Sequence, residues 1–84
     1  MRLASGMIGY VLVRTAPGKE HDVFHSLQKI PQVKEKYGLF GEYDIILKIE
    51  APNADDVTDI VVGKVRQVNG VVDTKTFIGT SFHG

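Results

Sequence analysis

Several groups of residues in this chain carry side chains able to do chemistry at suggestive spacings. His21 and His25 stand four apart in His-Asp-Val-Phe-His. The pattern imitates the His-Glu-x-x-His zinc motif, in which two imidazoles hold the metal and the glutamate is the base. Here Asp22 is shorter than glutamate and no third ligand is evident. Both imidazoles also fall opposite the Val23, Phe24 and Leu27 stripe, so they are expected on the outer face of a helix, with no metal. Glu42 and Asp44 are two apart, as an acid/base pair could be, but such a pair needs opposed environments, and both lie by a hairpin mouth. Glu42 reads as a solvated turn carboxylate. Asp44 reads first as a turn-fixing acceptor of main-chain N–H groups, and second as an acceptor for a ligand ammonium. Thr74 and Thr76 share one face of a strand. They are either β-branched residues suited to a strand or two adjacent hydroxyls facing a small polar ligand.

Two further patterns weaken on inspection. Gly38-Leu39-Phe40-Gly41 could suggest a phosphate-cradling loop, but no Lys-Ser/Thr follows and no helix opens there. Tyr37, Phe40 and Tyr43 near Lys34 and Lys36 could suggest base stacking. The aromatic run of an RNA-recognition sheet is poorly matched, however, and ten Lys/Arg balance ten Asp/Glu, for a formal charge of zero. Phosphate contacts need uncompensated basic clusters, so no direct nucleic-acid binding is expected.

Elements able to position these residues can be read from the hydrophobic pattern. Met7 to Thr15 is a strand with Ile8, Tyr10 and Leu12 on one face and Val11 and Val13 on the other, as in a central strand covered on both sides. Ala16-Pro17-Gly18 ends it. Lys19 to Ile30 has a helical apolar stripe, stopped by Pro31. Val33 to Phe40 is a second strand, near an edge, with Val33, Tyr37 and Leu39 on the face of Glu35. A short Gly41-Glu42 turn leads to a third strand, Tyr43 to Glu50, making a hairpin. Asn53 is an N-cap, with Asp55 and Asp56 in the first turn of a helix running to about Val68. Asn69-Gly70 ends that helix, and Val71 to Thr80 is the fourth strand, with Val72, Thr74, Thr76 and Ile78 on one face.

The order β-α-β-β-α-β contains a weak internal repeat. Each half is a strand, an Ala-Pro break, a helix, a turn and a strand. Two split β-α-β units predict an α+β, ferredoxin-like sandwich, four antiparallel strands with both helices on one face. A chain of 84 residues makes one domain, burying only roughly 60–65% of its unfolded surface. The other sheet face is therefore expected to meet a second copy. The absence of cysteine excludes disulfides, Cys-based zinc sites, iron–sulfur clusters and thiol nucleophiles. No stretch approaches a membrane span, and Met1 to Gly6 lacks the apolar core of a signal peptide, so a cytoplasmic protein without membrane contact is expected. Residues 1–6 read as a disordered extension, 7–80 as the domain and 81–84 as a tail; Met7 is a second candidate for the start.

At the hairpin the chain resembles a known family. The stretch Tyr10-Val-Leu-Val-Arg14, Pro17-Gly18 opening a helix, and Ile30-Pro31-Gln32-Val33 all fit. So do Gly41-Glu42-Tyr43-Asp44-Ile45-Ile46-Leu47-Lys48, Val68-Asn69-Gly70-Val71 and Thr74-Lys75-Thr76. Together they resemble the effector (RAM) domain of Lrp/AsnC transcriptional regulators, with Gly-x-Tyr-Asp as the most diagnostic element. Only six residues precede the first strand, which leaves no room for that family's helix-turn-helix domain, so a stand-alone effector domain is expected. The resemblance implies an amino-acid sensor, not an enzyme and without cofactor, that forms dimers and larger rings. It also implies a role in transcription through full-length regulators of the same type. It places the ligand near Gly41, Tyr43 and Asp44, with Gly41 admitting close backbone approach and Thr74 and Thr76 offered to the ligand's polar groups. The competing expectation is a small dimeric α+β-barrel enzyme of the cofactor-less oxygenase or isomerase type. It would need a buried His, Asp or Tyr in the cleft between sheet and helices.

Overall fold

A computed structural model describes residues 6–79. The expected extension, apart from Gly6, the tail, and the end of the last strand at Thr80 lie outside the described residues. The elements run β1 (Met7–Thr15), α1 (Glu20–Leu27), β2 (Val33–Gly38), β3 (Ile45–Ala51), α2 (Ala54–Ile60), a π-helical turn (Val61–Val65) and β4 (Val71–Ile78). They form one four-stranded sheet in the order β2-β3-β1-β4, antiparallel throughout. This is the ferredoxin-like α+β sandwich expected from the pattern, with β1 and β3 central.

Alternation in the central strands divides the sheet into two faces. Val11, Val13 and Thr15 of β1 and Ile45, Leu47, Ile49 and Ala51 of β3 are buried. They join Val23 and Leu27 of α1 and Val57 and Ile60 of α2 in one cluster, together with Val61 and Val65 of the π-helical turn. Both helices therefore cover the same face. Gly9 lets α2 approach: a Cβ there would stand 2.5 Å from Val57 Cγ1. On the opposite face the pattern changes. Tyr10 of β1 and Phe77 of β4 are register partners, 41% and 50% exposed. Ile8, Leu12 and Ile46 are only half-buried beside them.

Local chemistry explains the boundaries. Asn53 caps α2, its side chain accepting from the Asp56 N–H at 2.8 Å, and Asp55 and Asp56 occupy the first turn. Past Ile60 the helix widens instead of continuing regularly to Val68, and the Arg66 N–H reaches the Val61 carbonyl at 2.8 Å. Helix α1 is shorter than expected. Its last residues tighten, with Lys29 and Ile30 N–H groups bonded to Ser26 and Leu27 carbonyls, before Pro31 forbids continuation.

Two side-chain alternations differ from the simple period of two. Register shifts between Val33 and Glu35 in β2, so Val33 packs against the core while Tyr37 is 60% exposed on the open face. They do not share a face. A second shift, between Arg14 and Thr15, puts Asp73 opposite Arg14 and Val71 opposite Thr15. Val72 is the residue left over, 58% exposed, and does not lie in the row of Thr74, Thr76 and Ile78. In both places a bulge resets the face on which following side chains fall.

Candidate functional site

The hairpin connection is longer than the Gly41-Glu42 turn expected from sequence. Strand β2 ends at Gly38 and β3 begins at Ile45, leaving a loop from Leu39 to Asp44. The Leu39 N–H bonds to the Asp44 carbonyl at 2.8 Å and closes the loop base. Gly41 has φ +129, a backbone conformation that L side chains rarely adopt, which explains a glycine there.

Asp44 fixes this loop through β1. Its N–H donates to the Val13 carbonyl at 2.9 Å. Its Oδ2 accepts from the Thr15 N–H at 2.8 Å and from Thr15 Oγ1 at 3.1 Å. Thr15 is only 7% exposed, so the carboxylate satisfies a backbone donor that water does not reach well. The expected turn-fixing role of Asp44 takes this form, with its partners on the neighbouring strand.

Arg14 makes a second brace, which sequence reading missed. Its Nε donates to the Glu42 carbonyl at 3.1 Å and its Nη2 to Glu42 Oε2 at 3.0 Å. Its guanidinium lies 4.9 Å from the centre of the Tyr43 ring. Glu42 remains largely exposed but is ion-paired as well as solvated. The available signal was Arg14 itself, a cation closing an otherwise apolar strand, and its planar fork suits simultaneous backbone and carboxylate contacts.

Gly41, Tyr43 and Asp44 are thus held together at the C-terminal end of β1. Thr74 and Thr76 lie across β1 from them, in register with Val13 and Val11, on the helix side of edge strand β4 and partly buried. Thr74 is at the loop's end of the sheet, and Thr76 is further along by about 7 Å at the usual rise of a strand. The structure therefore gathers three of the five expected site residues into one loop and sets the two threonines a strand's width away. His21 and His25 are both exposed on α1. Among the described residues no helix is long and apolar enough to cross a membrane.

This combination of a ferredoxin-like sheet, one open face and a braced Gly-x-Tyr-Asp loop defines a small effector-type regulatory domain. A family model for the Lrp/AsnC ligand binding domain matches residues 8–81, and the chain belongs to that family. An uncharacterised HTH-type transcriptional regulator of Pyrococcus furiosus is 38% identical over 80 residues, 92% of this chain and 53% of its own length. The chain spans about half the length of the curated relatives it matches. The crystal structure of FFRP-DM1 superposes with a TM-score of 0.83 at 35% identity, covering 88% of this chain and 99% of that one. A transcriptional regulator of Neisseria meningitidis, NMB0573, solved as a complex with L-Met, shares the fold with a TM-score of 0.81 at 20% identity, over 92% of this chain and 51% of that one.

Proposed function

We propose that this domain senses an amino acid, self-associates, and passes the signal to transcriptional regulators by protein contact. The observation that carries the reading is the braced loop. A zwitterion needs donors for its carboxylate and acceptors for its ammonium, and a loop fixed before the ligand arrives loses little entropy on binding. Gly41 lets the ligand approach backbone groups, while Tyr43 and Asp44 supply polar atoms. Thr74 and Thr76 complete the site from β4 or from a second copy. The amino-acid complex of the Neisseria regulator supports the ligand class. The half-buried Ile8, Leu12 and Ile46 around Tyr10 and Phe77 support sheet-to-sheet self-association.

The enzyme reading has less to stand on. It asks for an enclosed catalytic group, and His21 and His25 are on the outer surface. Regulator relatives favour a non-catalytic domain acting inside the cell.

Isothermal titration with each common L-amino acid and its D-enantiomer tests the proposal. One or a few L-forms are expected to give saturable heat and to raise the melting temperature; a ligand at 100 times its Kd adds about 2.7 kcal/mol of stability. No heat and no stabilisation with any of them would overturn it.

A further inference from the structure

Phe40 is wholly exposed at the tip of the Leu39–Asp44 loop, beside Leu39 at 37% exposure. A phenylalanine presented to water on a loop held by Arg14 and Asp44 is an anchor already in position for a partner. A matching cavity exists on the same chain. Ala51, Pro52, Ile60 and Gly63 line a cleft of about 360 Å³, with Asp59 and Lys64 beside them. Lys64 Nζ donates to Gln32 Oε1 at 3.3 Å. The π-helical turn places Gly63 in the cleft wall, where a Cβ would meet nothing within 4 Å. Loop and cleft stand at opposite ends of β3, about 20 Å apart at the rise of a strand, so a chain cannot fill its own cleft with its own Phe40.

We propose that Phe40 of one copy seats in the Ala51/Pro52/Ile60/Gly63 cleft of a neighbouring copy. Charge agrees with this pairing: Arg14 and Glu42 flank the aromatic ring, while Asp59 and Lys64 flank the cleft, one cation and one anion on each side. The zero formal charge of the chain sets up no long-range repulsion between copies. Knob and hole are different patches, so the contact is heterologous and propagates into a ring or an open chain. Each contact also sets Asp59 and Lys64 of one copy beside Gly41–Asp44 of the next. The inference rests on the self-association proposed above, but uses a different surface from the open sheet face.

The chain's lack of cysteine allows a direct test. Phe40→Cys and Gly63→Cys variants are treated with a short bis-maleimide, separately and mixed, and light scattering after gel filtration gives the mass of uncrosslinked wild type, Phe40→Ser and Gly63→Trp. Expected are crosslinked pairs only in the mixture, and loss of every species above the dimer in Phe40→Ser and Gly63→Trp, with melting of Phe40→Ser unchanged. Crosslinking of Phe40→Cys to itself, a mixture without crosslinks, or assemblies indifferent to both substitutions would overturn the proposal. A wild type that stays dimeric overturns this contact alone; one that stays monomeric overturns it together with the self-association reading.

Discussion

Asp44 is the residue through which local chemistry sets the geometry of the loop. Its carboxylate holds both the N–H and the hydroxyl of nearly buried Thr15. Removing it leaves a buried donor without its partner, which costs about 1–3 kcal/mol. Asp44→Ala should lower unfolding stability in urea by that amount, and Asp44→Asn, whose amide oxygen still accepts, by less. Equal losses in the two variants would show that the acceptor is not what matters. Lys48 gives a test by pH. Its ammonium lies 3.4 Å from Glu35 Oε2, and hydrogen bonding to Glu35, then the charge of that carboxylate, raises its pKa above the ordinary 10.5. A folded-state value above the unfolded one favours folding fully below the ordinary lysine range. The contribution fades as pH rises through the raised value. The stability difference between wild type and Glu35→Gln should therefore be constant near neutrality and shrink in alkali, as urea titrations at several pH values would show.

At the scale of elements, the sheet positions the loop and α2 locks the sheet. Gly9 sits where β1 passes under Val57, with only 2.5 Å available for a Cβ. Gly9→Ala must push α2 outward or strain β1, and overpacking of this kind costs about 1–3 kcal/mol. The expected result is a lower urea midpoint with an unchanged denaturant slope. A neutral substitution would mean that α2 shifts freely on the sheet. The hairpin shows how elements compete. Tyr43 and Asp44 would have extended β3 by alternation alone, but the carboxylate and N–H of Asp44 go to β1, and the positive φ of Gly41 turns the chain out of the β2 ladder. A six-residue loop results where a short turn was expected.

At the scale of the whole molecule, the sheet has helices on one side only. Tyr10 and Phe77 face each other across β1 and β4 on the open side, and large exposed apolar patches mark interfaces. Phe77→Lys puts a charge in the middle of that patch. It should shift sedimentation toward the monomer while leaving the monomer folded, because residue 77 points away from the core. Unchanged sedimentation would count against sheet-to-sheet association.

The sequence by itself determined the element order, the inner stripes Val11/Val13, Ile45/Leu47/Ile49 and Val57/Ile60, and the caps, because these depend on short-range periodicity and on residue-specific backbone preferences. Gly41 and Asp44 were legible for the same reason: a glycine and an aspartate at a strand junction announce local geometry. Only the tertiary structure decided what Asp44 binds, since Thr15 lies 29 residues away in sequence and meets it through strand pairing. Arg14 gained its role on the loop in the same way. The two bulges, which set the faces of Val33 and Val72, were likewise hidden, because the register of a strand is fixed by its partner and not by its own alternation.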